Sequence, residues 1–128
     1  MTLDEELQRI PKLTSVGRAL VQFTMSLTKG NFVREGKLWV YRPPNFVTFC
    51  VQHARAQTIA LSLCGNWRKF EADPVLYLSG GRNTMWVRCI IDSPRQLAAA
   101  SSYIEHAFKV HSQSPRQKWK YKARVRGT

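Results

Sequence analysis

A chain of 128 residues with 44% apolar and 11% aromatic content can bury one core without disulfides or a structural metal, and this composition excludes an intrinsically disordered chain. Twenty Lys and Arg against eight Asp and Glu give a net charge of +12 and a pI near 10.3; solubility needs far less, so the excess points to a polyanionic partner, nucleic acid first, with an unselected basic surface as the alternative. No apolar run reaches the roughly 18 residues of a membrane span, the acidic start MTLDEELQRI has no apolar signal region, and three cysteines are an odd count for a disulfide framework, so a cytoplasmic, reducing location without a membrane is expected.

In chain order, the first element is a short helix. Thr2 and Glu5 have capping-box spacing, and Asp4, Glu5 and Glu6 place negative charge where a helix N-terminus favours it. Pro11 interrupts the pattern. A second helix is predicted over 15–29, capped by Thr14 or Ser15, with Val16, Leu20, Phe23 and Leu27 forming one apolar stripe and Gly30 a natural stop. From Phe32 the period becomes two. Phe32 and Val33 lead to a turn at Glu35 and Gly36, and 37–42 (KLWVYR) reads as a strand ended by Pro43 and Pro44. Leu38 and Val40 share one of its faces, Trp39 and Tyr41 the other.

Residues 45–64 form the centre: NFVTFCVQH and TIALSLC read as strands joined by ARAQ. Pairing Val47, Phe49 and Val51 with Ile59, Leu61 and Leu63 produces a coherent apolar face. Residues 67–74 read as irregular or a helical turn, 75–78 as a short strand, and Ser79, Gly80 and Gly81 as a loop. Residues 84–91 form the last strand, with Met85, Val87, Cys89 and Ile91 opposite Trp86, Arg88 and Ile90. Asp92 or Ser93 caps a closing helix with Pro94 in its first turn and Leu97, Ala100, Ile104, Ala107 and Phe108 along its apolar stripe. The expected fold is α+β: a two-layer domain over 1–112, with an antiparallel sheet of four to five strands covered on one face by N- and C-terminal helices, followed by a basic segment over 113–128.

That segment carries the strongest chemical signal. Arg116, Lys118, Lys120, Lys122, Arg124 and Arg126 alternate with Gln117, Trp119, Tyr121, Ala123 and Val125, so an extended chain would have one cationic face and one mostly apolar, aromatic face. The first suits a phosphate backbone and the second suits bases or a protein surface; a solvated tail or a blunted edge strand would use the same residues. A second signal is the far side of the sheet, where parity puts Trp39, Tyr41, Phe46, Trp86 and Arg88 if the helices cover Val47, Phe49, Leu61 and Val87. Base stacking, a dimer interface or simple burial would each account for aromatics there. A pocket between sheet and helices, lined by Trp67, Tyr103 or Arg88, is a third possibility.

Catalytic signals are sparse. Arg82 and Asn83 follow two glycines without P-loop or dinucleotide spacing. Glu35, Glu71, Asp73, Asp92 and Glu105 are scattered, without the gathered carboxylates of a metal-dependent nuclease. Cys50 and His53 point to opposite faces of a strand, and Cys64, His106 and His111 read as packing or surface.

The run GNFVREGKLWVYRPPNFVTFCVQHARAQTIALSLCGN, followed by Trp86, Val87, Arg88 and the closing SPRQLAAASSYIEHAF, resembles small bacterial domains of the "predicted transport protein" type over about residues 30–108. Shared features are a helix, a hairpin with an aromatic residue before an NF strand, a strand of alternating leucines and a final helix. Such domains occur alone or attached to nuclease-like modules, so the resemblance implies the fold and, by association, a link to nucleic acid.

The expected function is non-enzymatic nucleic-acid binding of low sequence specificity, with no cofactor and no metal. Arg116, Lys118, Lys120, Lys122, Arg124, Arg126 and Arg88 would contact backbone, and Trp119, Tyr121 and Trp86 would stack. The alternative is a homodimeric or adaptor module that binds protein through the aromatic sheet face.

Overall fold

The computed structural model describes residues 1–81 and 85–113. Helix α1 (Leu3–Gln8) begins as the sequence requires: the Thr2 side chain accepts from the Glu5 N–H, and the Glu5 carboxylate accepts from the Thr2 N–H. A 3-10 turn at Pro11–Leu13 leads into α2 (Thr14–Leu27). Neither expected cap holds. Leu13 is the N-cap, and the Thr14 hydroxyl instead donates to the carbonyls of Leu7 (2.8 Å) and Ile10 (3.2 Å), tying α2 to the end of α1.

The strands are β1 (Asn31–Glu35), β2 (Leu38–Arg42), β3 (Val47–Gln52), β4 (Thr58–Cys64), β5 (Ser79–Gly80) and β6 (Trp86–Ile91), in the order β1-β2-β3-β4-β6-β5. All pairings are antiparallel. The count is six, not four to five, because two edge strands carry little strand signal. β1 is exposed at four of its five positions and lacks buried alternation. β5 is Ser-Gly, read as loop, while 75–78 forms no strand: Asp73 and Leu76 make an isolated bridge around a turn.

The central hairpin pairs as expected, Val47 with Leu63, Phe49 with Leu61 and Val51 with Ile59. β6 continues this face with Val87, Cys89 and Ile91. Helix α3 (Leu97–Ser112) follows a 3-10 turn at Pro94–Gln96 and buries Ala100, Tyr103, Ile104 and Ala107. The Gln96 amide fixes its start, accepting from the backbone N–H of Asp92 (2.8 Å) and Ser93 (3.1 Å) and donating to the Val75 carbonyl (2.9 Å). The apolar stripes of all three helices and one face of the sheet form a single core.

One expected face assignment is reversed. Trp39 lies opposite Phe49 in the β2–β3 register, so Trp39 and Tyr41 stand on the helix-covered side. Both are buried with their polar ends satisfied. The Trp39 indole donates to the Glu6 carboxylate, and the Tyr41 hydroxyl donates to the Thr28 carbonyl (2.6 Å). Phe46 is fully buried between Tyr41 and Phe108, at ring-centroid distances of 5.6 and 5.2 Å. Of the five residues assigned to the open side, only Trp86 and Arg88 occupy it, with Val33, Leu38, Val40, Cys50, Ala60 and Ile90.

Candidate nucleic-acid interface

Because β4 runs antiparallel to β6, Cys64 at the end of β4 faces Trp86 at the start of β6, and the Gly65 N–H donates to the Met85 carbonyl. α3 travels back along the sheet to this same end. A side chain at Gly65 would meet Phe70 and Val110, and Phe108 packs on Phe46 at the start of β3. Thus the chain leaves α3 for the basic segment at the end of the fold that carries residues 64–70 and 85–86. Arg116, Lys118, Trp119, Lys120, Tyr121, Lys122, Arg124 and Arg126 lie outside the described residues, as do Arg82 and Asn83.

At this end the Asn66 side chain caps a 3-10 turn at Trp67–Lys69 by accepting from the Arg68 N–H (2.9 Å). Trp67 stays 44% exposed, with the Arg68 guanidinium 5.5 Å from its ring centroid. Its backbone N–H donates to the Gly81 carbonyl (3.4 Å), an approach open only to glycine: Gly81 has φ +78°, and a Cβ there would stand 2.9 Å from that nitrogen. Lys69 is exposed, and its carbonyl is bonded by His106 Nε2 of α3. Lys109, also exposed, pairs with Glu105 (3.2 Å), and Tyr77 is 83% exposed.

On the adjoining open face, Trp86 is half-buried and Arg88 is exposed, opposite Ser62 on β4 and Ser79 on β5. Trp86 thus stands at the sheet end where α3 finishes, the end that also carries Trp67, Arg68, Lys69 and Lys109, and Arg88 lies two residues further along β6 on the open face. Of Trp67, Arg68, Lys69 and Lys109, the sequence singles out only Trp67, and as a pocket residue. The aromatic-basic run WRK was its visible signal; exposure was not visible.

A cavity of about 740 Å³ between 68–74 and α3 is lined by Arg68, Lys69, Glu71, Asp73, Tyr103 and His106. It is not the expected pocket between sheet and helices: among the described residues no strand residue lines it, and of Trp67, Tyr103 and Arg88 only Tyr103 does. Two of its polar side chains, Tyr103 and Asp73, are engaged in holding the fold. The Tyr103 hydroxyl donates to the Leu76 carbonyl (2.8 Å) and accepts from the Asp73 N–H (2.7 Å), and Asp73 Oδ1 accepts from the Val75 N–H (2.9 Å). Burial pushes the Tyr103 phenol above its ordinary range. Among the described residues no three His, Cys, Asp or Glu side chains cluster as metal ligands, and no helix is long and apolar enough to cross a membrane.

No family model, curated protein or solved structure matches the chain.

Proposed function

We propose that this protein binds nucleic acid through the phosphate backbone, with low sequence specificity and without catalysis. The observation that carries the reading is charge: 116–126 holds six of the twenty basic residues and no acid, which is half of the net +12. The end of the fold where α3 finishes adds Arg68 and Lys69, the open face adds Arg88, and exposed Trp67 supplies a ring on which a base can stack. A cytoplasmic location accommodates the three free thiols.

The test is binding to short single- and double-stranded DNA and RNA over a salt series, comparing the full chain with a variant whose six basic residues in 116–126 are replaced by Gln. The expected log affinity falls linearly with log salt, by about 0.9 per phosphate neutralised on duplex DNA and about 0.7 on single strands, and less steeply in the variant. Absence of binding at low salt, or an unchanged slope, would overturn the proposal.

A second reading is supported by the open sheet face, where Val33 (45%) and Leu38 (41%) at the β1–β2 edge and Ile90 (52%) on β6 are exposed on the same side as Trp86. It makes this face the surface of a homodimer or adaptor. Sedimentation separates the two: a salt-independent dimer dissociated by Trp86→Ala supports the second, and a monomer at all salt concentrations removes the dimer.

A further inference from the structure

Antiparallel succession places the β1–β2 and β3–β4 turns at one end of the sheet, opposite the end where α3 finishes. Between these turns and α1 lies a cavity of about 550 Å³. Its cations come from separate elements: Arg34 from β1, Lys37 from the first turn and Arg55 from the second, with His53 beside Arg55. Its single acid is Glu6, buried and already accepting from the Trp39 indole and from Arg34 Nη1 (3.1 Å). The charge of Glu6 is met by Arg34, which leaves Lys37 and Arg55 without an acidic counterpart in the lining.

Both walls are preformed. Arg34 Nε donates to the Gly36 carbonyl (3.1 Å), and the guanidinium lies 5.5 Å from the Trp39 ring centroid. Three contacts thus orient it, while Nη2 keeps its protons for a ligand. Gly36, at φ +62°, makes the tight turn that presents Lys37. On the other side the Gln57 amide donates to the His53 carbonyl, closing the turn that presents Arg55, and the Thr58 hydroxyl donates to the Gln52 side chain (2.6 Å). The remaining lining, Cys50, Val51, Ala54 and Ala56, is apolar.

We infer that this cavity is a binding site for an organic phosphate: a phosphomonoester joined to an apolar or aromatic body. The dianionic head meets Lys37, Arg55 and the outward N–H groups of Arg34, and the body covers the apolar wall. The volume falls within the range of small-ligand sites and exceeds what a bare phosphate fills. Two sources share this chemistry, a free mononucleotide and the 5′-phosphorylated end of a nucleic-acid strand. The site lies at the end of the fold opposite the one where α3 finishes.

The experiment follows backbone amide shifts of the full chain during titration with adenosine monophosphate, adenosine, inorganic phosphate, and an oligonucleotide with and without a 5′-phosphate. Saturable shifts at residues 34–37 and 50–56 with adenosine monophosphate are expected. Adenosine and inorganic phosphate should bind at least about tenfold more weakly. The double variant Lys37→Gln, Arg55→Gln changes only exposed turn positions and should lose affinity by a similar factor. Shifts from the 5′-phosphorylated strand that its 5′-hydroxyl counterpart does not produce identify a strand end as the source; shifts from the mononucleotide alone identify a free nucleotide. Adenosine binding as tightly as its monophosphate, unchanged affinity in the double variant, or no saturation at these amides would overturn the inference. Loss of strand binding with retention of the mononucleotide would overturn the proposed function and leave this site standing.

Discussion

The two faces of the sheet use the same strands for opposite purposes. On the covered face stand Trp39, Tyr41, Phe49, Leu61, Leu63 and Ile91, nearly or wholly inaccessible, and every long apolar side chain meets another across the register. On the other face stand Val40, Thr48, Ala60, Ser62 and the thiols of Cys50 and Cys64, with Leu38, Arg88 and Ile90 exposed around them. Size therefore separates the faces more sharply than polarity does. The covered face holds the fold together, while the exposed positions of the other face, Leu38, Arg88 and Ile90, can change at little cost, which is where a surface for partners can be carried.

The largest break of this contrast is Leu61→Ala. Removing a fully buried side chain from the centre of the covered face should cost about 2–5 kcal/mol in denaturant unfolding, because the cavity relaxes only partly. Glu6→Ala comes next. It leaves the buried Trp39 indole N–H without its acceptor and Arg34 without its counter-charge, for about 1–3 kcal/mol; a double-mutant cycle with Arg34→Ala should show non-additivity, and simple additivity would mean that the two do not act together.

The thiols sharpen the comparison without altering the packing. Burial pushes the Cys89 thiol up to about 12 from its ordinary 9. Because the folded value is the higher one, the associated stability is fully present below pH 9 and declines as pH rises from 9 towards 12, by at most about 1.4 kcal/mol per pH unit. Unfolding measured at pH 8 and pH 10 should show a steeper alkaline loss in the native chain than in Cys89→Ala. A thiol reagent should label half-buried Cys50 and Cys64 while Cys89 reacts only on global unfolding; early labelling of Cys89 would contradict its place on the covered face. The smallest effect is expected at Ile90→Ala, on β6 between two residues of the covered face. At 52% exposure it should shift stability by no more than about 0.5 kcal/mol, against several at Leu61.

The chain-level signals for the proposed interface are local ones. The alternation of cations over 116–126 is a property of the chain itself, and so is the Trp-Arg-Lys run at 67–69. The cavity is not legible in the sequence, because Arg34 and Lys37 belong to one hairpin and Arg55 to another, and only antiparallel succession sets their turns at the same end of the sheet.

The α+β class, the capping box of α1, the stripes of α2 and α3, and the β3–β4 register were determined locally. Each repeats at the period of one element, and each hydrophobic set has only one way to be buried. Tertiary structure decided the parity between β2 and β3, and it recruited β1 and β5. Alternation within β2 says that Trp39 and Tyr41 share a face, but not which one, and a shift of one residue between neighbouring strands reverses the answer. Glu6 from α1 and the Thr28 carbonyl, waiting with partners for an indole and a phenol, make the covered side the stable choice.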